Sequence, residues 1–460
     1  MSARALGLGR GTLFGAKSGG KARSKSKKKK RSRAAAHSTE YNLLLTATLC
    51  LLALGAVMIF SASSTTQVLK DGSLANSAFY LKRTLMVGAI GLVAMHLAAR
   101  HGLTAVRRLT PALLVGSMFL LLVVLVAGTS ANGASRWLGP GSLQFQPSEL
   151  AKVALVLYGA DLLAREPKRV RSLQGLMPFL LVVGTASLLI MAEPDMGTTM
   201  VIAFSVGALL VAAGARPADL GKIALCLGVL ALLLTIVEPY RMARLTGFLN
   251  PGADAAGAGF QAAQAKIALG SGGLFGVGIG NGVQKAFYLP EAHTDMISAV
   301  IGEELGMMGI LGVVGLFAML GYAGLRVAQK ARDRYSKLLV AGLTSMIVVQ
   351  ATINLFAVMG LAPLTGVPLP FVSYGNSSLL VTLLAVGLVL NVARGGRATA
   401  AARPSRASGA GKLRVVEGGR SPAGTRSRAK RGKSAQSRSG GGGNRRPRRA
   451  GDGRRRRASG

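Results

Sequence analysis

The stretch Leu289-Pro290-Glu291-Ala292-His293-Thr294-Asp295 brings a carboxylate, an imidazole and a second carboxylate together just before the apolar run that begins at Met296. These are the side chains of general acid–base chemistry. Ionisable groups at a membrane boundary lose hydration, so a cluster of them there marks a functional site. A plainer reading makes Glu291, His293 and Asp295 the polar rim and N-cap of the helix that follows, since caps favour Asp and Thr. Asp295 is the candidate base and His293 a candidate substrate contact.

Further stretches carry charge or hydroxyls. In Gln146-Pro147-Ser148-Glu149-Leu150-Ala151-Lys152, Pro147 suits a first helical turn, and Glu149 and Lys152 fall on one face three residues apart. One reading pairs them with each other and another offers Lys152 to a phosphate, and the two are compatible. Glu193-Pro194-Asp195-Met196-Gly197-Thr198-Thr199 reads as a short turn with two carboxylates, solvated or holding a metal or substrate. Arg241 and Arg244, three apart, suit a diphosphate or lipid headgroups, and Lys285 is a similar candidate. Between Gly366 and Ser378 the prolines forbid a regular helix. Ser373, Tyr374, Ser377 and Ser378 there suit a sugar or diphosphate, or simply cap the next helix. Glu303 and Glu304 lie inside an apolar run, and two adjacent acids cannot share one helix face, so at least one needs a buried partner.

The elements that must position these residues are membrane-spanning helices. The 460 residues are 50% hydrophobic with mean hydropathy +0.42, and about ten runs approach the length of a span. They fall near 42–62, 84–99, 110–128, 150–164, 176–192, 199–214, 220–237, 297–325, 338–359 and 376–393. The expected fold is an all-α polytopic membrane protein. Arg and Lys gather in alternate connectors, whereas 193–198 and 360–375 contain none. By the positive-inside rule both termini face the cytoplasm, and the long connection between the seventh and eighth spans, 238–296, faces the exterior. Its glycines, dense from Gly270 to Gly280, read as half-buried re-entrant turns, because no strand–helix unit surrounds them to make a dinucleotide site. Trp137, the single Trp, falls at an outer boundary.

The net charge of +39 is concentrated in the tails. Residues 1–38 hold 12 Lys and Arg and no acid, and residues 394–460 hold 21 against two acids, Glu417 and Asp452. Both tails lack a hydrophobic period, so 1–38 and 395–460 are expected to be disordered cytoplasmic segments around a membrane domain at 39–394. Basic runs can bind nucleic acid, but beside a membrane they retain a tail inside and attract anionic lipid, so no nucleic-acid partner is expected. Cys50 and Cys226 sit in apolar runs without disulfide or metal spacing. The first span reads as a retained anchor, since no cleavage site follows it.

In order, Ser61-Ala62-Ser63, Gln146–Lys152, Glu193–Thr198, the long connection through Glu304, and Pro368–Leu380 resemble the SEDS family, the FtsW/RodA polytopic proteins of bacterial shape, elongation, division and sporulation. The likeness covers roughly 42–394. Gln284-Lys285 and Pro290-Glu291-Ala292-His293-Thr294-Asp295 look more like FtsW, while Val367–Phe371 also suits RodA. Asn376 stands where the family usually has Gly, and Met296-Ile297-Ser298 where it has Phe-Ile-Phe. The resemblance implies a ten-helix fold and an inverting peptidoglycan glycosyltransferase that polymerises lipid II, with Asp295 as the catalytic Asp. The donor would be a glycan on undecaprenyl diphosphate, and the product a β-1,4-linked strand. The leaving diphosphate needs positive charge from Lys152, Lys285, Arg241 and Arg244, or from a divalent cation, Mg2+ or Mn2+, whose ligands are unidentified. A class B penicillin-binding protein and other division or elongation proteins are the implied partners, at the cytoplasmic membrane and its division septum. A partner helix could pack where Gly309, Gly312, Gly315 and Gly321 thin the eighth span. The rival readings are a lipid II flippase, which expects charge at the bilayer midplane, and a structural scaffold, in which Asp295 would be dispensable.

Overall fold

The computed structural model describes residues 39–63, 78–131, 134–139, 144–250 and 258–395. Both basic tails, and with them the expectation of disorder, lie outside these residues. Eight helical stretches among the described residues are long and apolar enough to cross a membrane. They are α1 (Thr39–Ser63), the 49-residue stretch Phe79–Ala127, α5 (Leu173–Ala192), α6 (Met196–Ala213), α7 (Pro217–Val237), α11 (Ile297–Lys330), α12 (Arg334–Val358) and α13 (Asn376–Ala393). The protein is therefore a helical, multi-pass membrane protein. A straight helix of 49 residues would measure about 73 Å, more than twice the hydrocarbon core. Instead the stretch comprises α2 (Phe79–Leu97), a π-helical turn Ala98–Gly102, and α3 (Leu103–Ala127). Tyr80 meets Tyr374 edge to face just before α13, whereas the Ala98 and Ala99 carbonyls accept from Asn391 at the far end of α13. This side-chain donor competes for helix carbonyls at the bend. Arg107 then pairs with Asp161, so α2 runs down α13 and α3 returns along α4 (Pro147–Arg165).

Helix α4 carries Glu149, Lys152, Asp161 and Arg165 yet is mostly buried, an interior helix whose charges are paired within the protein. α12 and α13 are also interior, while α7 lies at the periphery. Local sequence explains the helix ends. Asp195 caps α6 by accepting from Thr198 N–H, Ser172 caps α5 through Gly175 N–H, and Asp333 caps α12 through Ser336 N–H.

A short antiparallel hairpin, β1 (Thr129–Ala131) with β2 (Ala134–Trp137), follows α3. The long connection after α7 is largely helical: α8 (Pro239–Leu249), α9 (Ala258–Gly272) and the one-turn α10 (Gln284–Phe287). The re-entrant glycine turns expected there begin only at Gly273, because Ala268–Gly272 completes α9. The glycine-rich segment then enters a break in α11 at Gly306, where φ is 66° and ψ −162°. The backbone groups freed by the break find partners in it. Val277 and Gly278 donate to the Glu303 and Glu304 carbonyls at 3.0 Å, and Met307 donates to Gly273 O at 2.9 Å. Gly276 adopts φ +80° against the break, and a Cβ there would stand 2.1 Å from Glu304 O. Non-helical backbone at this depth survives because protein satisfies it.

Candidate active site

One end of the bundle gathers the hairpin, the α5–α6 turn, the long connection and the α12–α13 loop. Arg136 of the hairpin donates to the Glu193 and Pro194 carbonyls. Gln146 donates its backbone N–H to Ser377 Oγ and its amide to Asp195. Tyr374 N–H donates to His293 O at 2.9 Å. Asn354, on α12, donates to both Asp295 O and Val367 O at 2.8 Å and accepts from Ser298 Oγ. The backbone under Asp295 is thus pinned to the α12–α13 loop.

The Asp295 side chain is pinned far less. Among the described residues its carboxylate accepts from the neighbouring Thr294 hydroxyl at 3.2 Å. Arg244, on α8, donates Nη1 to Leu364 O at 2.8 Å. An atom at the Cβ position of Gly366 would stand 3.8 Å from Asp295 Oδ2 and 3.9 Å from Arg244 Nη1, so both groups face one small space over that glycine. Burial pushes the Asp295 carboxyl up to about 6; the Glu291 charge adds to the rise and Arg244 opposes it. Glu291 has φ 55° and Phe371 φ 66°, left-handed conformations for non-glycine residues on both loops that frame this space. His293 lies in an aromatic cluster, 4.6 Å between ring centroids from Tyr80 and 5.6 Å from Tyr374, with Arg83 over the Tyr374 ring.

The other charged candidates are turned inward. Lys152 Nζ donates to Glu149 Oε1 at 2.9 Å and to Gln350 Oε1 at 2.8 Å, and Gln350 donates to Pro368 O at 3.0 Å, all buried. This is the expected ion pair, and it leaves Lys152 3% exposed. Lys285 is likewise buried against Glu304, Ser61 and Gly280 O. Arg241 donates to Leu234 O and Met191 O, tying α8 to the ends of α7 and α5. It also lines, with Arg244, a cavity of about 300 Å³ walled by Met196, Met200, Ala231 and Leu232. Ser373 Oγ accepts from Leu369 N–H, Ser377 Oγ from Gln146 N–H, and Ser378 Oγ from Gln350 at 3.5 Å. These hydroxyls hold the loop and its junction with α4 and α12.

One expectation is corrected. The turn at Glu193–Asp195 is not solvated: Glu193 is 1% and Asp195 4% exposed. Arg136 of the hairpin packs over it, and burial together with the Asp195 charge pushes the Glu193 carboxyl up to about 8, against Arg136. The buried partner expected for at least one of Glu303 and Glu304 is present: both bind the α10 segment, Glu303 accepting from Val283 and Gln284 N–H and Glu304 from Lys285. Sequence reasoning missed Gln350 and Asn354, although their signal was present: two amides four apart on one face of an apolar helix demand buried partners. Arg83, which donates to Asn376 at 2.9 Å, and Arg136 were also missed.

The fold defines a multi-pass membrane protein, with a candidate acid–base site at one rim of its helix bundle. Residues 41–398 match the FtsW/RodA/SpoVE family model, described as cell cycle protein. The chain is 42% identical to stage V sporulation protein E of Bacillus subtilis over 358 residues, covering 76% of this chain and 96% of that one. It is 39% identical over 360 residues to a probable peptidoglycan glycosyltransferase FtsW of Trichlorobacter lovleyi, covering 77% and 94%. Among solved structures it resembles the rod shape determining protein RodA of Thermus thermophilus, with TM-score 0.57 and 28% identity over 76% of this chain and 96% of that one. It also resembles a chain from a study of structural coordination of polymerization and crosslinking by a peptidoglycan synthase complex, with TM-score 0.63 and 29% identity over 76% and 97%. The chain belongs to the FtsW/RodA/SpoVE family.

Proposed function

We propose that Asp295 is the general base of glycan polymerisation. The chain is a peptidoglycan glycosyltransferase of cell wall synthesis, as its relatives' names and its structural likeness to a peptidoglycan synthase chain indicate. The observation that carries the proposal is the recessed, thinly bonded Asp295 carboxyl, raised to about 6 and facing one space with Arg244. A base whose pKa lies near the working pH transfers protons best.

In this reading the 4-hydroxyl of the GlcNAc of lipid II gives its proton to an Asp295 oxygen and attacks C1 of the donor sugar. The C1–O bond to the undecaprenyl diphosphate breaks, the diphosphate leaves with the electron pair, and the α-linkage inverts to β-1,4. Arg244, which shares the space over Gly366 with Asp295, would meet the departing charge, with Arg241 three residues away on α8. Among the described residues no three His, Cys, Asp or Glu converge on a possible metal site, so no step is routed through a divalent cation.

The topology follows from charge. Counting α2 and α3 separately and adding α4 gives ten spans. Arg100, Arg165, Lys168, Arg216, Arg332 and Arg394 lie at the end opposite Asp295. This charge pattern supports a reading with both ends of the domain in the cytoplasm and Asp295 at the outer face, where sugars and lipid tails meet. The solved synthase complex coordinates polymerization with crosslinking, which supports a class B penicillin-binding protein as partner, together with other division or elongation proteins. The FtsW-named relatives favour a septal location. Gly312 and Gly315 face open space on α11 and leave room for a partner helix, while Gly321 packs toward Val348 of α12.

The test is purified protein with labelled lipid II. Wild type is expected to make glycan polymer and Asp295→Asn none, at equal membrane insertion. Polymer from the Asn variant at near wild-type rate rejects the base, and translocated lipid without polymer would favour the flippase.

A further inference from the structure

Asp295 sits midway along a stretch of chain whose two ends are joined in the protein interior. Lys285 lies before it and Glu304 after it, and they meet as an ion pair whose side chains are 1% and 0% exposed. Ser61, at the end of α1, stands 2.7 Å from both oxygens of Glu304 and 2.9 Å from Lys285 Nζ. Gly280 O takes a third ammonium contact at 2.9 Å, which fills the three donors of the lysine. The neighbouring acid, Glu303, accepts from the N–H groups of Val283 and Gln284 at 2.8 and 3.1 Å. Consecutive acids on α11 thus grip one short segment, and the chain from Lys285 to Glu304 forms a closed ring.

The ring has a second fixed point. Asn354 holds Asp295 O from α12, but the carboxylate itself has only the Thr294 hydroxyl among described side-chain donors. The height and direction of the carboxylate are therefore set by the ring's geometry. A buried ion pair adds little net stability over an apolar pair of similar size, and its best-attested use is to fix one arrangement. Closing a loop also removes conformations from the segment between its ends.

We propose that Lys285, Glu304 and Ser61 are positioning residues for glycan transfer, closing the ring that holds Asp295 at the reacting height. The inference rests on Asp295 being the base. It gives α1 a role at the site, because Ser61 is the only side chain from that helix in the cluster as described. Misplacing a catalytic group by about 1 Å costs on the order of 100-fold in rate.

The test uses full-length protein carrying Lys285→Met, Glu304→Gln, both together, or Ser61→Ala. Turnover and KM for labelled lipid II are measured alongside amide hydrogen exchange. Each single ring variant is expected to lower kcat about 100-fold with KM nearly unchanged. The double variant should lose no more than either single, since the ring is already open in each. Exchange should quicken over 286–296 while α12 and α13 keep wild-type protection. Ser61→Ala, the mildest change, should lose roughly tenfold or less. Wild-type kcat in a folded ring variant overturns the proposal. So does a kcat loss with unchanged exchange over 286–296, or a double-variant loss equal to the product of the singles. If the ring variants do not fold, Ser61→Ala with wild-type rate and exchange overturns it instead. If Asp295→Asn remains active, the base assignment fails separately, and exchange over 286–296 still decides whether the ring orders the segment.

Discussion

Glu149 and Asp295 are carboxylates at the same end of the same bundle, and they are treated in opposite ways. Glu149 is buried against Lys152, and Lys152 is completed by Gln350, which in turn holds the Pro368 carbonyl. Glu149 and Lys152 are 2% and 3% exposed. Asp295 has its backbone secured by Asn354, but among the described residues its carboxylate takes one side-chain hydrogen bond, from the Thr294 hydroxyl at 3.2 Å, and it shares with Arg244 the space over Gly366. The difference separates two uses of charge in a membrane protein. A fully paired carboxylate joins helices, and a thinly paired one at the rim keeps the capacity to take a proton. Glu193 is a third case, enclosed and without a side-chain hydrogen-bond partner among the described residues, where burial holds the proton on the acid.

The largest expected effect tests the open member of the comparison. Asp295→Asn should lower polymerisation by about 10²–10⁴-fold while thermal unfolding stays near wild type. Polymer yield and a melting curve on the same preparation check both halves. Next comes the paired member. Lys152→Met strands Glu149 in the interior and should destabilise by about 3–5 kcal/mol, whereas Glu149→Gln with Lys152→Met should recover most of it. Equal stability of single and double variants would break the contrast drawn here.

The enclosed acid gives a smaller, pH-dependent effect. Glu193 has its carboxyl raised from 4.5 to about 8, so the folded chain keeps a proton that the unfolded chain has already lost. Stability from this group is highest below about pH 4.5 and falls as pH rises toward 8. Glu193→Gln should flatten that slope in melting temperature measured between pH 5 and 8. The smallest effect concerns the rim itself. Asp295 must be deprotonated to act, so activity should rise with pH through about 6. Glu291 raises that carboxyl and Arg244 lowers it. Glu291→Gln should therefore move the acid limb of the rate profile down, and Arg244→Gln should move it up.

The spans were legible because hydrocarbon imposes length and composition on any segment that crosses it. The runs near 176–192 and 376–393 correspond closely to α5 and α13. The motif ending at Asp295 was legible because charge beside an apolar run is costly enough to stand out. The partners of the charges were not legible. Lys285 and Lys152 look alike in sequence as exterior cations, and only the packing shows each ammonium committed to a glutamate. The turn at Glu193 reads as solvated until the hairpin, sixty residues earlier in sequence, is seen packed over it through Arg136.

The sequence by itself determined that this chain is a helical membrane protein with an ionisable cluster before α11, since both follow from local hydropathy and the types of neighbouring residues. The tertiary structure decided which charges face each other and which face an opening. It brought Ser61 to Glu304, Arg244 to Asp295 and Gln350 to Lys152 across long separations in the chain. No local rule specifies such meetings. They depend on where the helices cross and on where α11 breaks at Gly306, because a buried charge is stable only beside the partner that the whole packing supplies.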